Sequence, residues 1–186
     1  MNALVLAETQ LADNYAAEEQ QYLTFRLGDE MFAIEIQNIK EIIEYGSLTT
    51  VPMMPKFVRG VINLRGRVVP VIDLSARFGR RGSEVSKRTC NVIVEVNAEG
   101  ANSNIRIDIG IVVDTVSEVL EISAAEIEPP PSFGAKIRAD FISGMGKVNG
   151  KFVIILDANR VLSVDELAML SGVGEGSTQP AQAASA

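Results

Sequence analysis

Histidine and tryptophan are absent from this chain of 186 residues, and cysteine occurs once, as Cys90. The first absence removes the commonest general base. Together with the single thiol it also removes nearly every zinc, copper or haem site, so no cofactor and no metal are expected. Catalysis by Asp, Glu, Lys or Ser stays open in principle. One cysteine permits no intrachain disulfide, which fits a reducing compartment. Its setting, TCNVIVEV, reads as a strand carrying a buried, inert thiol.

Long apolar runs are missing too. Nothing approaches the roughly 20 residues that span a bilayer, and MNALVLAETQLADNYAAEEQ has neither a basic region nor an apolar stretch long enough for export. The expectation is a cytoplasmic protein without direct membrane insertion. No Lys/Arg run interrupts a formal net charge of −7, a field that repels phosphate backbones, so nucleic acid is not an expected partner.

What is present is an ordinary globular composition, 47% apolar and 22% charged, arranged as short β-type runs. YLTFRLG, EMFAIEI, GVINLRG, RVVPVIDL, NVIVEV, IRIDIGIVV and KFVIILD are rich in Val and Ile and punctuated by Gly, Asn and Pro. The chain also repeats itself. FVRGVINLRGRVVPVIDLSARF, from Phe57, aligns without a gap to FISGMGKVNGKFVIILDANRVL, from Phe141, at an offset of 84. Gly60 matches Gly144, Gly66 matches Gly150, and Asp73 matches Asp157. Upstream, IQNIKEIIE aligns with VDTVSEVLE at an offset of 77.

In each copy a possible N-cap, Asn38 or Thr115, precedes a glutamate, Glu41 or Glu118, at capping-box spacing. This predicts a short helix whose apolar residues, Ile39, Ile42 and Ile43 in the first copy, face inward. Arg65-Gly66 and Asn149-Gly150 read as hairpin turns, with Gly66 and Gly150 supplying positive φ. Each unit thus reads strand, strand, short helix, strand, hairpin.

About five short strands per unit suit a small closed barrel, which leaves no exposed edge. The predicted architecture is mainly β: two tandem five-stranded SH3-like barrels with short helices. Barrel one is expected over about 20–80 and barrel two over about 88–163. A C-terminal helix follows over about 164–170, opened by a capping box between Ser163 and Glu166. Residues 1–19 and 171–186 are expected to be a flexible extension and a disordered tail.

Few motifs suggest chemistry. GMGKVNG looks like a phosphate loop, but a strand follows it where an anion site needs a helix N-terminus, and Lys151 precedes Phe152 instead of Ser or Thr. Asp29-Glu30 and the pair Glu126, Glu128 read as solvated turn carboxylates, and Asp73 and Asp157 as turn or capping residues. Arg65 is the informative position. Its counterpart is Asn149, the residue a plain hairpin turn selects, so one copy has given up ideal turn chemistry. A solvated loop-tip charge and a guanidinium reserved for a partner's carboxylate both remain open.

Taken together, NIKEIIEYGSLTTVP, VRGV, NLRGRVVPVIDL, IGIVVDTVSEVLEI, a Pro-rich stretch and FISGMGKVNGKFVIILDANRVL resemble the CheW family of chemotaxis coupling proteins, over about residues 20–170. The resemblance implies two packed five-stranded barrels and no enzymatic activity. It implies an adaptor for two partners: the cytoplasmic tip of a chemoreceptor (a methyl-accepting chemotaxis protein) and the regulatory domain of a CheA-type histidine kinase. Ile39, Glu41 and Arg65 match positions the family uses around these contacts. Asn63 and Gly66 complete the same motif. An adaptor of this fold serving a pilus-motility or developmental array is the alternative.

Overall fold

The computed structural model describes residues 19–99, 104–130 and 138–175. Each Val/Ile-rich run forms a strand. The order is β1 (Glu19–Leu27), β2 (Glu30–Glu35), β3 (Ile39–Glu44), β4 (Val58–Leu64), β5 (Arg67–Asp73), α1 (Leu74–Arg77), β6 (Cys90–Glu99), β7 (Asn104–Val113), β8 (Thr115–Ser123), β9 (Ile127–Glu128), β10 (Ile142–Val148), β11 (Lys151–Leu156) and α2 (Val164–Glu175). The sheets run β8-β1-β2-β11-β10-β9 and β3-β6-β7-β5-β4, giving the two small barrels of the expected mainly β fold.

The internal repeat is visible in the pairing. β1 against β2 sets Leu23 opposite Ile34, and β6 against β7 sets Val92 opposite Ile111. The parallel pair β11–β2 sets Ile155 beside Ala33, and its counterpart β5–β7 sets Val71 beside Gly110. The repeats are interleaved, however. The six-stranded barrel takes β1 and β2 from the first copy and β8, β10 and β11 from the second; the five-stranded barrel takes β3, β4 and β5 from the first and β6 and β7 from the second. The division into consecutive barrels over about 20–80 and 88–163 is therefore corrected. A repeat shows which strands are equivalent, not which ones pair, and neighbours in sequence often do not pair.

The predicted short helices are also corrected. Ile39–Glu44 and Thr115–Ser123 are strands, and the helical turn beside Asn38 is a 3-10 turn at Ile36–Asn38 without a side-chain cap. β-branched residues pack well on a pleated surface and lose rotamer freedom in a helix. Pairing with β6, Glu41 opposite Ile93 and Ile43 opposite Asn91, satisfies the backbone instead. Alternation follows: Ile39, Glu41 and Ile43 are half-buried, and Ile42 is 43% exposed.

Several strands are buried on both faces, which explains their nearly continuous apolar sequence. One core cluster is shared by both sheets. It joins Leu23, Phe25, Phe32 and Ile34 to Val92, Val94, Ile109 and Ile111. A smaller cluster, including Tyr22, Ala33, Ile122, Val153 and Ile155, fills the six-stranded barrel. Phe25, Phe32, Phe78 and Phe141 form a chain of ring contacts through the shared core, with centroids 6.1, 5.8 and 5.9 Å apart.

α2 completes the core with Leu167 and Leu170, each stabilising by about 1.5–3 kcal/mol on burial. Its capping box forms: Glu166 N donates to Ser163 Oγ at 3.1 Å, and Ser163 N donates to Glu166 Oε1 at 3.0 Å. Arg77 donates to the same carboxylate at 2.8 Å, and its guanidinium lies over Phe57 and Phe141 at 4.8 and 5.1 Å. Those two phenylalanines are repeat equivalents. The helix runs to Glu175, five residues beyond the expected end, so 171–175 are not tail. Residues 1–18 and 176–186, read as loose from composition, lie outside the described residues.

Candidate partner-binding site

Arg65 and Gly66 are the two loop residues between β4 and β5, at φ 53° and 82°; Asn149 and Gly150 repeat the turn at 50° and 76°. Both central residues of a type I′ turn need φ > 0, matching the right-handed twist of the strands it joins. Asn63 Oδ1 closes the first turn by accepting from Gly66 N at 2.9 Å. A Cβ on Gly66 or Gly150 would meet nothing within 4 Å. The constraint there is conformational, not one of space.

Arg65 is the strained member. A left-handed backbone at a non-glycine residue costs on the order of 1–3 kcal/mol, and Asn tolerates it better. The compensating contact is Arg65 Nη2 donating to Glu41 Oε2 at 2.9 Å, with the side chains 80% and 23% exposed. An ion pair this exposed contributes about 0–1 kcal/mol. The pair therefore does not offset the strain, and stability alone gives no reason for arginine at this turn.

Ile39 lies at the start of β3 opposite Val94, half-buried against the shared core. It anchors the strand that presents Glu41. The structure thus brings Glu41, Asn63 and Arg65 to one end of the five-stranded barrel, with Ile39 on the same strand as Glu41.

A charge network absent from the sequence reading surrounds them. Asp108, its side chain 7% exposed, accepts from Lys40 at 2.8 Å and pairs with Arg67 at 3.0 Å. Lys40 also reaches Glu95 at 2.9 Å, and Arg106 reaches Glu95 at 3.3 Å. Hydrogen bonds to Asp108 and then Glu95 hold the Lys40 ammonium above the ordinary lysine range. A cavity of about 120 Å³ remains between Glu41, Arg65, Arg67, Asp108 and Ile93. The sequence carried a signal for this: Arg106 and Asp108 alternate with isoleucines in IRIDIGIVV, charges on a single face of a strand.

Asp73, expected as a turn or capping residue, centres a second polar device. Asp73 accepts from Ala76 N at 3.2 Å, from Ser83 N at 2.9 Å and from Arg59 Nε at 2.9 Å, with its side chain 2% exposed. Arg59 also donates to Ser83 O. This ties the loop after α1 to the β4–β5 hairpin. Cys90 is half-buried, and burial, then Glu44, pushes its thiol up, disfavouring the reactive thiolate. Among the described residues no group of His, Cys, Asp and Glu could hold a metal ion.

Two interleaved barrels sharing one core, with a strained arginine and a layer of paired charges at one end, define a two-barrel β scaffold. The CheW-like domain model matches residues 21–166, and the chain belongs to that family of chemotaxis scaffold and adaptor proteins. It is 34% identical to the chemotaxis protein CheW of Klebsiella aerogenes, over 84% of this chain and 89% of that one. It is 32% identical to protein FrzA of Myxococcus xanthus, over 73% and 79%. The crystal structure of the scaffolding protein TtCheW from Thermoanaerobacter tengcongensis superposes with a TM-score of 0.70 at 33% identity, covering 80% of this chain and 90% of that one.

Proposed function

We propose that this chain couples the cytoplasmic tips of chemoreceptors to the regulatory domain of a CheA-type histidine kinase, and supports receptor-controlled kinase activity without catalysing a reaction itself. The observation that carries this reading is Arg65. It is held in an unfavourable backbone conformation that its pair with Glu41 does not offset, at a position matching the family's partner-contact motif. Strain retained at an exposed turn points to function. Glu41 and Arg65 fix the register of a docked partner through charge, Ile39 fixes the strand that carries Glu41, and Asn63 fixes the turn that carries Arg65. Receptor control then requires a coupling of ~1–3 kcal/mol between the two contacts.

The chain works on the cytoplasmic side and reaches the membrane through receptors; no helix among the described residues is long and apolar enough to cross one. The test is autophosphorylation of the kinase in receptor-containing membranes, with and without the chain. Receptor-dependent stimulation is expected, and Arg65→Glu is expected to lose it. A folded chain with no effect on a kinase from the same genome overturns the coupling role. The similarity to protein FrzA, whose name carries no chemotaxis designation, favours a second reading, an adaptor of the same fold in a pilus-motility or developmental array. Stimulation confined to the kinase of such an array would select it.

A further inference from the structure

The two hairpin turns share their backbone conformation and differ in what holds them. In the first, the Gly66 N–H is taken by Asn63 Oδ1 at 2.9 Å. The internal repeat puts Lys147 where Asn63 stands, and an ammonium cannot accept a hydrogen bond. Among the described residues the Gly150 N–H therefore has no acceptor, and the Asn149 side chain has no hydrogen-bond partner. Both residues are exposed, and the strand ladder ends one pair earlier, at Val148 and Lys151.

Asn149-Gly150 is also the one Asn-Gly step in the chain. The side-chain carbonyl carbon of an asparagine lies within reach of the next residue's backbone nitrogen, and attack by that nitrogen closes a cyclic imide. Glycine hinders the closure least. It carries no Cβ, it rotates freely, and a Cβ built at Gly150 would meet only open space, so no neighbour crowds the ring. The rotation that brings nitrogen to carbonyl carbon breaks no hydrogen bond made by these two residues. Charge favours the same step. The attacking species is the deprotonated nitrogen, and Lys147 and Lys151 flank it, both exposed and neither in an ion pair among the described residues. Cations beside a developing anion stabilise it. The first turn is exempt, because Arg65 has no amide to be attacked.

We propose that Asn149 is a site of spontaneous modification, converting in the folded chain to aspartate and isoaspartate. The Gly150 nitrogen bonds to Cγ of Asn149, the Cγ–Nδ2 bond breaks, and the nitrogen's proton leaves with the amide as ammonia. Water then opens the imide. Opening at Cγ gives aspartate; opening at the main-chain carbonyl gives isoaspartate. The sum is amide plus water to acid plus ammonia, with no oxidant, reductant or enzyme. Either product sets a new carboxylate between two lysines. Aspartate tolerates the left-handed backbone as asparagine does, whereas isoaspartate routes the main chain through an extra carbon that a two-residue type I′ loop does not accommodate. Age thus alters one hairpin of the duplicated pair and spares the other, independently of the coupling role.

The test is peptide mapping by mass spectrometry of the full, folded chain during incubation at mildly alkaline pH, with isoaspartyl methyltransferase and labelled S-adenosylmethionine as the probe for isoaspartate. The peptide holding Asn149 is expected to gain the mass difference between amide and acid, to accept label, and to do so ahead of every other asparagine. Asn149→Gln is expected to abolish the label in that peptide. Lys147→Asn restores the acceptor of the first turn and is expected to slow conversion about tenfold, the factor that one hydrogen bond of ~1.4 kcal/mol gives when it must break before attack. An unchanged Asn149 peptide, over a period in which a synthetic peptide of the same sequence converts, overturns the proposal. So does earlier conversion at another asparagine. A rate unaffected by Lys147→Asn overturns the role of the unpartnered N–H.

Discussion

Arg65 and Glu41 stand 24 residues apart in the chain and meet at 2.9 Å, so the hairpin tip of β4–β5 is tied to β3 by a pair of side chains. A partner carboxylate that takes Arg65 must compete with Glu41. Release of Glu41 exposes a charge on the strand that also carries Ile39. The pair is therefore an exchangeable contact between turn and strand.

Replacing Arg65 by Asn, the residue of the matched turn, relieves backbone strain and loses a weak ion pair. Stability is expected to stay level or rise by up to about 1 kcal/mol, read as a urea midpoint, while kinase stimulation falls. A drop of several kcal/mol would assign Arg65 a structural role.

Gly66→Val forces a β-branched residue to φ 82°, where it is strongly disfavoured. A loss of about 1–3 kcal/mol is expected, and Gly150→Val should behave alike because the turn is the same. Unchanged melting of both variants would contradict the turn geometry.

Asp73 and Asp157 are equivalents in sequence and differ in surroundings. Asp73→Ala leaves Arg59 and two backbone N–H groups without their acceptor, at an expected cost of about 3–5 kcal/mol. Asp157 is 33% exposed, accepting from Asn159 N at 3.0 Å and lying 3.5 Å from Arg160, and Asp157→Ala should cost about 1 kcal/mol. Equal losses in chemical denaturation would refute the difference.

Lys40 supplies a pH test. Its folded-state value is raised by Asp108 and Glu95, so its stabilising contribution is complete below the unfolded lysine value, near pH ~10.4, and is lost as pH rises through the higher folded value. The stability difference between wild type and Lys40→Met is expected to be flat from neutral pH up to the unfolded value and to shrink as pH rises from there through the folded one. A difference that changes near pH ~7 would mean that another group controls the network.

Strand positions, both hairpin turns and the capping box at Ser163 were legible because they depend on local chemistry: β-branched runs, turn glycines and a cap three residues from its partner. The helix read at Asn38 failed where local and tertiary preferences conflict. IKEIIE satisfies a helix-start pattern, but β6 offers it a ladder of backbone partners interrupted only by a register shift between Ile39 and Glu41. The motif NLRG was readable, yet its pairing with Glu41 was not, since spacing says nothing of which side chains meet across a barrel.

By itself the sequence determined the class of the protein: a small β-rich chain without histidine, built by duplication, with an arginine where its own second copy keeps the conventional turn residue. Only the tertiary structure decided that the copies exchange strands and that Asp108 seals one barrel end. The physical reason is common to both. Duplication preserves the local preferences that make strands and turns, whereas pairing and charge neutralisation are settled between residues far apart in the chain.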